Sequence, residues 1–269
     1  MLKKLLRYDL KFIFRYWWIA AISCTALSAV GGICFSLLLE KPPHALITLL
    51  LVLPIIFAVI GWVVFAVLSY LVIYIRFYKN FFTDEGYLTF TLPVNIGSLL
   101  NAKLLSAVIT EISTLLVLGL DVFLMIALGG GEGLFELLEP ILEGFFENVD
   151  IYFYIFVAEG LVWMLVSSLF SALFLCCCIT FGSIITKKAK VPAAIGIYYV
   201  ANCVFTGFIQ FIALFSLPVL AEKIFALPQN THGILIVLVL LALILCSGLV
   251  CLLLYALQYW MLHRKLNLN

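Results

Sequence analysis

The stretch YWWIAAISCTALSAVGGICFSLLL, Tyr16 to Leu39, runs from Arg15 to Glu40 without an internal Asp, Glu, Lys or Arg. About 20 predominantly apolar residues, rising 1.5 Å each in a helix, cross a hydrocarbon core of roughly 30 Å. The stretch therefore reads as a membrane span. Others follow it: Ala45 to Ile75, Leu104 to Leu128, Ile151 to Thr186, Val191 to Ala221 and Ile234 to Leu262. Of the 269 residues, 66% are hydrophobic and 11% charged, against about 25% charged in ordinary soluble domains. No soluble domain of useful size fits between the runs. The expected fold class is an all-α integral membrane protein, a single domain over 1–269 with six transmembrane helices.

Lys and Arg that flank spans stay on the cytoplasmic side. With the N-terminus inside, only Lys41 and Lys223 of the 15 basic residues fall outside. Six crossings return the C-terminus to the same side, so both termini are expected to be cytoplasmic. Cys24, Cys34, Cys176, Cys177, Cys178, Cys203, Cys246 and Cys251 all lie in apolar stretches and read as small buried hydrophobes. Consecutive residues such as 176–178 cannot share one helical face. Neither a metal site nor a disulfide framework is expected.

The segments between and around the spans each carry a reading. Residues 1–15 place Leu2, Leu5, Leu6, Leu10 and Ile13 at helical spacing among Lys3, Lys4, Arg7 and Lys11, which suits a helix lying on the inner membrane surface with Trp17 and Trp18 at the interface. A plain positive-inside anchor explains the same residues. Residues 129–150 form an external acidic loop with Glu132, Glu136, Glu139, Glu143, Glu147 and Asp150 and no basic residue; it reads as a solvated cover or as a docking face for a cationic substrate. Residues 211–232 hold Pro218 and Pro228 in more apolar chain than one crossing needs. A re-entrant segment before the last helix would explain both, and a long tilted helix is the alternative. In the first span Ser28, Gly32 and Ser36 recur every four residues, a stripe that lets another helix approach closely and nominates them as dimer contacts.

The polar window FFTDEGYLTFTLPVN, Phe81 to Asn95, lies in the largest internal loop, 76–103. Asp84 and Glu85 sit where the positive end of a helix dipole favours acids, Thr83 or Asp84 can cap, and Pro93 ends the helix. Asn95 or Ser98 can cap the next one. The result is a short helix presenting Tyr87, Leu88, Phe90, Thr91 and Leu92, too small to bury that face itself.

The phrase Glu85-Gly86-x-Leu88, then Leu92-Pro93-Val94, then Leu99-Leu100-x-x-Lys103-Leu104 resembles the cytoplasmic loop of ABC-2 type permeases, the membrane subunits of one class of ABC exporters. The plan of an N-terminal interfacial helix, six spans and a re-entrant segment resembles that family over essentially the whole chain. This loop has fewer Arg and Glu, and a shorter leucine-rich stretch before the proline, than the commoner family pattern. The resemblance implies that Glu85 to Leu92 is a cytoplasmic coupling helix seated in a groove of a separate ATP-binding subunit. Asp84, Glu85, Gly86, Tyr87, Leu88, Phe90, Leu92 and Pro93 would then couple the chain to its ATPase. It further implies export across a bacterial cell membrane, with a second permease copy or a related permease across the translocation path; the acidic external loop hints at cationic substrates such as antimicrobial peptides or drugs, and lipids and small hydrophobic compounds suit so apolar a chain equally.

No G-x-x-x-x-G-K-[ST] phosphate loop occurs; GSLLNAK and GSIITKK lack the second glycine and the final Ser or Thr. ATP and Mg²⁺ are accordingly expected in a partner subunit, with no cofactor, catalytic residue or nucleic-acid partner for this chain. Closure of the ATPase pair would move the coupling helices and rock the spans.

Glu111, Asp121 and Glu159 are the acids within spans. Charges at such depth are costly and are usually paired or functional. They are the candidates for lining a substrate path, Asp121 and Glu159 in one outward-facing pocket; isolated hydrogen bonds between helices are the plainer reading. They also sustain a rival, a proton- or ion-coupled secondary transporter, although such folds carry internal repeats and none is evident here. A non-transporting immunity or sensor subunit is a third reading. Intramembrane proteolysis is not indicated, since G-x-S-G, paired aspartates and H-E-x-x-H are all missing.

Overall fold

A computed structural model describes residues 2–39, 44–83, 85–86, 91, 94–130, 151–185, 190–225 and 229–264. They form α1 (Leu2–Leu39), α2 (Ala45–Phe82), α3 (Ile96–Leu128), α4 (Ile151–Ile185), α5 (Lys190–Phe225) and α6 (Gln229–Arg264), with no strand among the described residues. A helix satisfies its backbone polar groups within the segment, which hydrocarbon surroundings demand. Five of these helices, α1, α2, α3, α4 and α6, are long and apolar enough to cross a membrane. The chain is thus an all-α, multi-pass membrane protein. The acidic segment 131–150 lies outside the described residues.

Local chemistry sets the helix ends. The carbonyl of Asn95 accepts from Ser98 N and Leu99 N, opening α3 at one of the two expected caps. At its other end Gly129 N donates to Met125 O, and Gly130 takes φ 87°, a left-handed conformation that glycine adopts without strain.

Two of the segments read from the sequence fall on continuous helix. The 38 residues of α1 span about 57 Å, so the helix projects well beyond a hydrocarbon core. No glycine or proline interrupts Leu2 to Val30, and Leu2–Arg15 is continuous with the rest of α1. Of the expected re-entrant segment 211–232, residues 226–228 lie outside the described residues. The part before them is continuous helix through Pro218 to Phe225.

The chain divides into two compact units. The first holds Met1–Arg76 and Asn101–Asn148. Its core sets Trp17, Ala21, Cys24 and Phe65 against Val117 and Leu118, with Trp17 and Phe65 ring centroids 5.6 Å apart. Where lipid is as apolar as leucine, helices associate through close packing and hydrogen bonds. Both occur here. Trp17 Nε1 donates to Thr114 Oγ1 at 2.9 Å, and Trp62 Nε1 to Ser28 Oγ at 2.7 Å. A Cβ on Gly32 would stand 2.9 Å from Met125 O and from Leu128 Cβ. The close approach expected of the Ser28–Gly32–Ser36 stripe is therefore made within the chain. Ser28 is fully buried and Gly32 is covered by α3; this replaces the dimer contact expected at those two residues, while Ser36 is half-buried and donates to Ile33 O.

The second unit holds Phe77–Leu100 and Val149–Asn269. In it α4 packs on α5 and α6. Gly182 of α4 lies so near α5 that a Cβ there would stand 2.6 Å from Ala194 Cα. Gln258 Nε2 donates to Thr180 Oγ1 at 2.7 Å, both side chains fully buried. Cys176, Cys177 and Cys178 are all buried, whereas Cys203 and Cys246 are exposed on their helices.

Candidate functional site: the loop between α2 and α3 and its anchor

At 100° per residue, Asp9 lies on the face of α1 opposite Lys3, Lys4, Arg7, Lys11 and Arg15. Arg76 Nε donates to Asp9 Oδ1 at 2.9 Å, and Lys103 Nζ donates to the same oxygen. The guanidinium of Arg76 also lies over the rings of Phe12 and Tyr8, 4.7 and 5.1 Å from their centroids. Asp9, Arg76 and Lys103 are 2%, 6% and 8% exposed. Charges so deeply buried require mutual compensation, since an uncompensated one carries a desolvation penalty of several kcal/mol.

Arg76 and Lys103 are also the two ends of the 76–103 loop. The chain leaves the first unit at Arg76, belongs to the second over Phe77–Leu100, and re-enters the first at Asn101. One carboxylate on α1 therefore holds the points of departure and return.

Within the loop, Asp84, Tyr87, Leu88, Phe90, Leu92 and Pro93 lie outside the described residues. Glu85 is exposed and Gly86 buried. Gly86 N donates to Thr83 O at 2.7 Å, closing a turn just after α2. A Cβ on Gly86 would stand 2.8 Å from the carbonyl oxygen of Phe81, so this turn requires glycine. Phe81 itself is fully buried and packs on Phe77 with centroids 4.9 Å apart. At the far end of the loop, a side chain on Gly97 would meet Tyr255 and Tyr259 of α6.

The three acids within the apolar runs are buried. Asp121 is fully buried in the first unit beside the thiol of Cys24, and Glu159 is 8% exposed in the second, where neither of its carboxyl oxygens has a hydrogen-bond partner among the described residues. Glu111 is 6% exposed. No group of three metal-ligating side chains occurs among the described residues.

The sequence reading did not single out Asp9. Its signal was present: Asp9 is the lone acid among the charges of residues 1–15, and the helical wheel sets it apart from them. No protein-family model, curated protein or solved structure matches the chain.

Proposed function

We propose that this chain is the membrane permease subunit of an ATP-driven exporter, in which the loop 83–95 couples the helices to a separate ATP-binding subunit. The observation that supports the reading is the anchor just described. A loop that must transmit force needs fixed ends, and a buried Asp9 bonded to both Arg76 and Lys103 fixes them. The apolar side chains Tyr87, Leu88, Phe90 and Leu92, gathered in a polar window, offer a partner the face to grip. In this reading both termini are cytoplasmic, two permeases flank the path, and ATP and Mg²⁺ are held by the partner.

A second reading, a proton- or ion-coupled transporter working alone, draws on the buried carboxyls of Asp121 and Glu159. Proteoliposomes separate the two. With the co-purified ATPase present, transport is expected to require ATP and to persist in Asp121→Asn with Glu159→Gln. Transport driven by an imposed proton gradient without ATP, and abolished in that double variant, would establish the second reading instead.

A further inference from the structure

The five cations at the start of α1, Lys3, Lys4, Arg7, Lys11 and Arg15, are all exposed. None of them has an ion-pair partner among the described residues. At 100° per residue they fall within an arc of about 120°. Further along the helix the arc carries Trp18, Ile22 and Ala29, with Ala26 about 20° beyond its edge. With Val117 and Leu120 of α3, these residues line an apolar groove of about 480 Å³. Its threonine, Thr25, turns its hydroxyl back onto Ala21 O at 3.0 Å and offers the groove no free donor.

The dimensions fit one kind of occupant. From Trp18 to Ala29 the helix rises about 16 Å, which matches one leaflet of a core roughly 30 Å thick. Lys11 and Arg15 stand one to two turns before Trp18, at headgroup level, and Trp18, 56% exposed, is the amphipathic ring favoured at that interface. An acyl chain in the groove would bring its own headgroup to these cations. Neutral headgroups gain little from them, whereas a phosphate with net negative charge gains directly.

We propose that this face of α1, with the edge of α3, is a binding site for one anionic phospholipid, its acyl chain in the Trp18–Ala29 groove and its headgroup on Lys11 and Arg15.

The test is native mass spectrometry of the full chain in neutral detergent, with dioleoylphosphatidylglycerol or dioleoylphosphatidylcholine added. A cation near an anionic lipid surface is worth about fivefold in partitioning. One phosphatidylglycerol per chain is expected to be retained over phosphatidylcholine. Lys11→Gln with Arg15→Gln is expected to lower that retention roughly 25-fold, and Ala26→Phe, which fills the groove, to weaken it as well. Lys3→Gln with Lys4→Gln, farther from the groove, is expected to change it less than threefold. Inorganic phosphate is expected not to compete. Equal retention of the two lipids would overturn the site, as would equal losses from the two charge pairs, which indicate a diffuse field. Competition by phosphate, which indicates a headgroup site without a chain, would overturn it too. Both charge pairs are exposed, so each variant keeps its fold, which thermal unfolding in the same detergent confirms.

Discussion

Asp9→Ala is expected to lower folding stability by about 3–5 kcal/mol, the range observed when one partner of a buried ion pair is removed. The reason lies in what stays behind. Arg76 and Lys103 are 6% and 8% exposed, and without the carboxylate two cations remain buried beside each other. Asp9→Asn keeps the shape and removes the charge, so it is expected to lose nearly as much. Replacing all three residues with methionine removes the charges together and is expected to recover most of the loss, because a packed apolar substitute for a buried charge cluster is often neutral or stabilising. Thermal unfolding of the purified chain in detergent reads all three. If Asp9→Ala melted with the wild type, the cluster would not be buried and bonded as described.

The second large effect is expected from Gly182→Leu. A Cβ at this position would stand 2.6 Å from both the Cα and N of Ala194, atoms that move only if α5 moves. Overpacking a well-packed site costs about 1–3 kcal/mol and occasionally more. Here the clash is with backbone rather than a flexible side chain, so the loss is expected at the upper end of that range. The control is Gly248→Ala in α6, where nothing lies within 4 Å of the added carbon. That change is expected to be neutral or to stabilise by about 0.5–1 kcal/mol, since helical glycine carries an entropic penalty relative to alanine. Equal melting temperatures for the two variants would show that α4 and α5 do not pack through Gly182.

The helices were legible because hydrocarbon imposes one requirement on every span. The apolar runs Leu104–Leu128 and Ile151–Thr186 lie within or against α3, Ile96–Leu128, and α4, Ile151–Ile185. What hydropathy could not show is how far a helix continues into polar surroundings, and α1 and α3 both begin well before their apolar runs. The small-residue stripe of α1 correctly forecast a close helix approach. Its partner, Met125 and Leu128 of the same chain, depends on tertiary packing that spacing along one helix does not encode. The anchor was hidden for a similar reason: Arg76 and Lys103 stand 67 and 94 residues from Asp9. Gly86 was legible as part of a motif, while its cause, the Phe81 carbonyl, emerged only from the backbone. That Asp121 and Glu159 are buried could not be read from their places along the apolar runs, because burial depends on which helices surround them.

The coupling role proposed for the loop 83–95 is tested most directly by purifying the tagged chain from its native membrane in mild detergent and identifying by mass spectrometry what remains bound. A soluble ATPase carrying a phosphate-loop sequence is expected to accompany the wild-type chain, and Leu88→Asp with Phe90→Asp is expected to release it while the chain keeps its melting temperature. A chain that comes alone under several gentle conditions, or an ATPase that stays bound to the double variant, would contradict it.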